Sequence, residues 1–260
     1  MVKNEVFMQD PTQSSTPDIS ISSFIVRAAN VFSSPGELFR EVAVSSVQTT
    51  SWLLPYIFAV IMAFLFTFSI FNNPRLLQQV QDMQLQEMKK AVEQGRMSQE
   101  QLERASEAIE SASPVLFIVM GGGGAMVAAT AVYFGVALLL WLVTKFGMKN
   151  SGSYKKILEV YGLTSFIGIL GSIITLVMVN LFDTMFAVPA ASLAILDSYD
   201  PSESTHRLLS SLNIFTLWQT AIVGYGIARV SNKPAHIGIS TTLGLFAIWA
   251  IIAAMFHIGM

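Results

Sequence analysis

The stretch PVLFIVMGGGGAMVAATAVYFGVALLLWLV, residues 114–143, decides the fold class of this chain. It contains no Asp, Glu, Lys or Arg, and as an α-helix it would extend about 45 Å. The hydrocarbon core of a bilayer is about 30 Å thick and is crossed by about 20 apolar helical residues. A helix built from this stretch is therefore long enough to cross a membrane with a tilt.

Four further stretches lack charged residues and are long enough to span, and the whole sequence is 53% hydrophobic and only 12% charged. A soluble domain averages about 25% charged residues, so the charged residues of this chain are too few to cover the surface of a water-soluble fold of its size. We predict an all-α integral membrane protein with five transmembrane helices. The predicted spans are about 52–71, 114–143, 160–182, 211–228 and 237–256.

Two polar regions flank the first span. Residues 1–19 predict a disordered cytoplasmic tail, and the five-span membrane domain then covers 20–260. Residues 72–113 predict a polar helical hairpin between spans one and two, with Ser98 and Gln101 forming a capping box at the start of its second helix. Its mixed charges fit either a solvated face or a docking surface.

The segment just before span one predicts an amphipathic N-terminal helix. In SSFIVRAANVF, residues 22–32, the apolar side chains share one helical face, and Arg27 and Asn30 lie opposite. Such a helix could lie in the headgroup region or pack as a cap against the protein's own spans, and the sequence leaves both interpretations open.

Lysine and arginine in the short loops predict the orientation, because these residues favour the cytoplasmic side. The loop after span two contains Lys145, Lys149, Lys155 and Lys156, whereas the loop after span three is acidic. The N-terminus is therefore expected in the cytoplasm, and the hairpin and the C-terminus on the opposite side.

Side chains that would support catalysis or cofactor binding are missing from the pattern. None of the five predicted spans contains a charged residue or a histidine, and such groups mark functional sites inside membranes. His206, His236 and His257 have no partners at metal-ligand spacing, and no basic patch predicts nucleic-acid binding. We expect no enzyme activity, no catalytic, cofactor-binding or metal site, and no bound cofactor.

Uncharged polar residues do occur within the spans, and they are candidates for intramembrane polar contacts. Such side chains commonly form hydrogen bonds between helices, although a permeation path lined by them stays open as an alternative. The candidates are Asn213, Gln219, Thr241 and Thr242.

The four glycines within the opening stretch predict close helix packing. A phosphate-binding loop would need a Gly-Lys-Ser/Thr ending, yet the first lysine after Gly124 is Lys145. Small residues at helical spacing allow two backbones to approach, while a hinge or a ligand site are the alternatives. The candidate packing residues are Gly121, Gly122, Gly123, Gly124, Ala128 and Gly135, with Gly168 and Gly171 as counterparts in span three.

Three segments resemble the Yip family of Ypt/Rab-interacting membrane proteins, and especially its bacterial branch. They are NVFSSPGELFREV (30–42), MSQEQLERASEAIE (97–110) and LNIFTLWQTAIVGYGIARVSNKP (212–234). The resemblance covers Phe24 to Phe256 and implies a cytoplasmic N-terminus and an external C-terminus. The role known for the family, in its eukaryotic members, is in vesicle trafficking and membrane organisation, and the resemblance implies a related role in membrane organisation. The acidic-aliphatic-Tyr-Gly-Pro motif of eukaryotic members is missing from residues 1–51, which argues against a small GTPase as partner.

These observations together predict a non-enzymatic scaffold or adaptor in the bacterial cytoplasmic membrane. Its partners would be the lipid bilayer and other membrane proteins, in a homo- or hetero-oligomer, and not nucleic acid. A small-solute permease or channel is the first alternative, and an accessory subunit of a larger membrane complex is the second.

Overall fold

The computed structural model describes residues 22–149 and 152–256, so the predicted tail at 1–19 lies outside the described residues. The described part is largely helical. Its ten α-helices are α1 (Phe24–Ser33), α2 (Pro35–Val44), α3 (Thr50–Asn72), α4 (Pro74–Glu93), α5 (Gln99–Ser111), α6 (Pro114–Leu142), α7 (Tyr154–Phe182), α8 (Ser204–Ser211), α9 (Ile214–Val230) and α10 (Ala235–Phe256). A π-helical turn, Val143–Gly147, extends α6, and a 3₁₀-helix covers Ala191–Ser198.

Four of these helices are long and apolar enough to cross a membrane: α3, α6 with its π-helical turn, α7 and α10. The stretch predicted as the fourth span is divided, because the Asn213 side chain accepts hydrogen bonds from the backbone N–H groups of Phe215 and Thr216. This cap begins a new helix. As a result α9 has only 17 residues, and the predicted residues 211–213 lie outside it.

Helix α7 is central, since α1, α3, α6 and α9 all pack on it. Two close helix crossings set the geometry of the bundle. A Cβ atom on Gly162 of α7 would lie 2.5 Å from the Trp52 Cα atom of α3. Gly224 of α9 and Gly238 of α10 meet backbone to backbone. Only glycine, which lacks a Cβ atom, permits these approaches.

The four-glycine segment is continuous α-helix within α6. A Cβ atom on Gly122 would lie 3.1 Å from the Phe64 ring of α3, and one on Gly121 would lie 2.7 Å from the Phe71 ring. The four glycines do not interrupt the helix, because a break would leave backbone N–H and C=O groups without hydrogen bonds in lipid. Each such group would cost several kcal/mol.

Helices α4 and α5 form a hairpin, and the predicted capping box is confirmed at Ser98 and Gln101. The start of the hairpin is fixed to the end of α7. There the Asn73 amide donates to the Asp183 carboxylate at 3.0 Å, and Arg75 forms an ion pair with the same carboxylate. The Gln79 amide donates to the Asp183 backbone carbonyl at 2.8 Å.

Candidate functional site

Helices α1 and α2, which we call the N-terminal pair, lie against the sides of α7 and α9. The Phe24 ring of α1 is 5.9 Å from the Phe166 ring of α7, and the Phe32 ring is 5.8 Å from the Trp218 ring of α9. Trp218 lies twelve residues before the end of α9 at Val230, a distance of about 18 Å along the helix. The pair therefore does not only cover the end of the bundle but extends along its side, next to the membrane-spanning helices.

Helix α1 buries its one charged side chain together with Val31 and exposes other apolar side chains. The Arg27 side chain is 1% exposed, whereas Ile25 is 78% and Phe32 39% exposed. In water the apolar face would be buried. The observed arrangement fits a helix whose outer surroundings are lipid, and it combines both sequence-based interpretations: α1 packs on the spans and also presents an apolar face.

Arg27 forms four hydrogen bonds, and two of them connect the N-terminal pair to the membrane-spanning helices α3 and α7. Its Nε donates to the Glu41 carboxylate of α2 at 2.9 Å, and its Nη1 donates to the Glu159 carboxylate of α7 at 2.8 Å. Nη1 also donates to Ser51 Oγ at 2.9 Å, and Nη2 donates to Ser45 Oγ at 3.1 Å. Four of the five guanidinium N–H groups are thus engaged.

Glu159 is fully buried and balanced by a second cation. Its carboxylate accepts hydrogen bonds from the Gln48 backbone N–H at 3.1 Å and from Lys156 Nζ at 2.8 Å. Lys156 Nζ also donates to the backbone carbonyls of Val42 and Ser45, at 2.8 and 2.9 Å. These carbonyls lie at the C-terminal end of α2, where a cation is favoured.

We call Arg27, Glu41, Lys156 and Glu159 the ion cluster. It contains two cations and two carboxylates, so its formal charge is zero. Burial raises the pKa of the Glu41 carboxyl, but hydrogen bonds from Ser22 and Arg27 and the charge of Arg27 together lower it by more. The net pKa of Glu41 is below its ordinary value. Both carboxylates are already bonded to protein donors, so the cluster is built as a clamp between helices and not as a reactive centre.

The sequence-based interpretation missed this cluster. The third span was predicted to begin at residue 160 because charged residues precede that position, whereas α7 begins at Tyr154 and includes Lys156 and Glu159. The available signal was the spacing of Lys156 and Glu159, an i,i+3 pair, together with Arg27 alone in an otherwise apolar helix.

The predicted packing glycines lie on several different interfaces. Gly121 and Gly122 face α3, while Gly168 and Gly171 of α7 lie against Gln219 and Phe215 of α9. The glycines of α6 and α7 therefore meet other helices and not each other. The remaining predicted residues face away. A Cβ atom added at three of the glycines would have no other atom within 4 Å: Gly123, Gly124 and Gly135. Ala128 is exposed.

The four predicted polar residues behave differently from one another. Asn213 caps α9. Thr242 Oγ1 donates to the Thr220 carbonyl of α9 at 2.9 Å, a bond between helices. Thr241 Oγ1 donates to a carbonyl of its own helix at 2.7 Å. The Gln219 amide forms no hydrogen bond with any described residue. In residues 22–149 and 152–256, no group of three potential metal ligands is close enough to hold an ion.

Four helices that are long and apolar enough to cross a membrane, in a described part that is largely helical, define an integral membrane protein of the all-helical class. The family model of the Yip1 domain matches residues 29–257. The chain therefore belongs to the Yip1 domain family, as the three resembling segments predicted. Comparisons with curated proteins and with solved structures found no match.

Proposed function

We propose that this protein is a non-enzymatic scaffold or adaptor that organises lipid or partner proteins in the bacterial cytoplasmic membrane. The observation that supports this proposal is α1, which the ion cluster holds in place with the apolar side chains of Ile25 and Phe32 exposed on its outer face. Membership of the Yip1 domain family fits this role. A firmly held apolar surface suits recognition of other membrane components, because nothing in it must be reordered on contact.

The proposed topology has five spans, with α9 as the additional one. Its 17 residues extend about 25 Å, and a helix a few ångströms shorter than the hydrocarbon layer is accommodated by local thinning. The N-terminal pair and the loop with Lys145, Lys149 and Lys155 would face the cytoplasm. The α4–α5 hairpin and the C-terminus would lie on the opposite side.

The test is purification of the full chain in its native lipid, followed by mass spectrometry of all co-purifying molecules. Ile25→Ser on α1 should reduce the recovery of a specific partner protein. The matched control is Val127→Ser on α6, a residue 71% exposed on another face, which should leave recovery unchanged. Catalytic turnover by the purified protein, or specific solute flux through it, would contradict the scaffold proposal, and recovery with lipid only would contradict a role as accessory subunit.

A small-solute permease or channel is the second candidate, and the observation that favours it is the unbonded amide of Gln219 inside the bundle. Solute flux in proteoliposomes that is lost on Gln219→Leu would support this alternative. The third candidate, an accessory subunit, would use the α4–α5 hairpin for docking. It predicts that altering exposed hairpin charges such as Arg104 releases a co-purifying complex, while the membrane-embedded part stays intact.

A further inference from the structure

Two adjoining cavities lie within the helical bundle. The first, of about 530 Å³, is lined by residues of α3, α6, α7 and α9 and is partly open to the outside. The second, of about 250 Å³, lies between α6, α7, α9 and α10. Tyr161, Thr216 and Gln219 line both cavities and therefore stand between them. Val132 and Trp249 also line these cavities and are 60% and 54% exposed, so the space opens towards the lipid-facing surface.

Gln219 is the only carboxamide among the described residues that line these walls. Four hydroxyls of the walls are bonded to carbonyls of their own helices, each at 2.8–3.0 Å, whereas those of Thr216 and Thr220 beside Gln219 have no partner in the described ranges: the bonded ones are Thr67, Ser165, Ser172 and Thr175. The Gln219 carboxamide likewise has no hydrogen-bond partner anywhere in the described ranges. It lies beside Gly168, where any larger residue would displace it.

An unbonded amide in this position requires a partner. Gln219 is five residues into α9, about 8 Å along the helix, and in the proposed five-span topology it lies within the apolar layer. An amide without a hydrogen bond in such surroundings costs several kcal/mol. A molecule with both hydrogen-bond donors and acceptors would remove this cost, because a carboxamide offers two donors and one acceptor oxygen.

The chemistry of the walls restricts the molecule that fits. No charged residue lines either cavity among the residues that the structure describes. An ionic headgroup brought to this depth would lose its hydration without gaining a counter-charge. An uncharged group loses much less. The remaining lining is mostly aliphatic and aromatic, including Phe66 and Phe246, which suits hydrocarbon chains.

We propose that the two cavities form a binding site for an uncharged lipid of the bilayer, of the diacylglycerol class. Its hydroxyl and ester carbonyl groups bond to the Gln219 carboxamide, and its chains leave towards the lipid between Val132 and Trp249. A site of this combined size is typical for the buried part of one small amphiphile. This site is separate from the N-terminal pair and goes beyond the proposed scaffold function.

The experiment measures retention of dioleoylglycerol by the full-length protein in dioleoylphosphatidylcholine nanodiscs, by titration and native mass spectrometry. Gln219→Leu should weaken binding about ten-fold, which corresponds to ~1.4 kcal/mol and to the loss of about one hydrogen bond. The matched control is Thr241→Val, which alters a hydroxyl on α10 outside the cavities and should leave binding unchanged. If Gln219→Leu fails to fold, Ala129→Phe fills the first cavity from α6 and should also reduce retention.

Several results would overturn the proposal. Equal retention by the wild-type protein, Gln219→Leu and Ala129→Phe would show that the lipid binds elsewhere. Retention of dioleoylphosphatidic acid as tight as that of dioleoylglycerol would contradict an uncharged ligand. Gln219-dependent solute flux without retention of dioleoylglycerol would assign the space to a permeation path instead.

Discussion

Removing the Arg27 side chain is expected to release the N-terminal pair while leaving the bundle folded. Arg27→Met retains the length and apolar stem of the side chain but removes all four hydrogen bonds. Two buried carboxylates, Glu41 and Glu159, would then share a single cation, Lys156. The ion cluster would change from neutral to a net charge of −1, and in the docked state the two carboxylate side chains are only 10% and 0% exposed.

The size of the effect follows from the burial of these groups. Breaking a buried ion pair by removing one partner costs about 3–5 kcal/mol. Since each 1.4 kcal/mol is a factor of ten, the population of the undocked pair should rise by about 10²-fold to about 4 × 10³-fold. The cost falls on the contact between α1, α2 and α7, because the crossings of α9 with α10 involve none of these residues.

Hydrogen–deuterium exchange of the protein in lipid nanodiscs measures this effect. Amides of α1 and α2 should exchange about 10²-fold to about 4 × 10³-fold faster in Arg27→Met, and amides of α10 should be unchanged. The matched control is Arg40→Met. Arg40 is an exposed arginine of α2 that bonds to its own helix, and its replacement should change exchange by less than a few-fold.

Unchanged exchange in α1, or an equal acceleration in all helices, would refute this reasoning. A second variant separates charge from packing: Arg27→Met combined with Glu41→Met restores neutrality, with Glu159 and Lys156 still paired. Its cost should be smaller than the sum of the two single costs, because residues of one network are coupled.

Three further outcomes are expected. Gly162→Ala should destabilise the protein by about 1–3 kcal/mol in chemical denaturation, since the new Cβ atom meets the α3 backbone, whereas Gly123→Ala in open space should be neutral or stabilising by up to about 1 kcal/mol. The lowered pKa of Glu41 means that its contribution to docking is complete at neutral pH and is lost as pH falls below about 4.5. The protection factors of α1 amides, which are their exchange rates corrected for the intrinsic rate at each pH, should therefore fall only under acidic conditions, and protection factors that stay constant throughout acidification would contradict this. Because the chain has no cysteine, Lys149→Cys and Glu103→Cys should be labelled by impermeant thiol reagents from opposite sides, and labelling from the same side would disprove the proposed topology.

The apolar spans are the part of the fold that could be predicted from the sequence. The charge-free run at 114–143 coincides with α6 because its length and lack of charge leave a membrane helix as the only low-cost conformation. The start of helix α9 was more difficult to predict from the sequence. Its apolar run is continuous in composition, but the Asn213 side chain begins the helix three residues later than predicted.

The ion cluster could not be predicted from local pattern, because its members are far apart in sequence. Arg27 and Glu159 are separated by 132 positions, and the charge of each taken alone indicates a polar surface. Their pairing depends on how α1 lies across α7, which no periodicity specifies. For Gln219, in contrast, the residue could be identified from the sequence but its contacts could not. The sequence identified it as a candidate polar contact, yet whether it finds a partner depends on the space between α6 and α9.

The position of α1 beside the spans is the central claim, and cross-linking of Phe24→Cys with Phe166→Cys in the cysteine-free chain tests it most directly. The two rings are 5.9 Å apart, so a short bifunctional thiol reagent should join these positions in intact membranes. The pair Phe71→Cys and Phe117→Cys, whose rings are 5.4 Å apart between α3 and α6, is the positive control. Efficient cross-linking at 24 and 166 that is lost on Arg27→Met is the expected result. Absence of this cross-link while the control pair reacts would contradict the placement of α1 beside the spans.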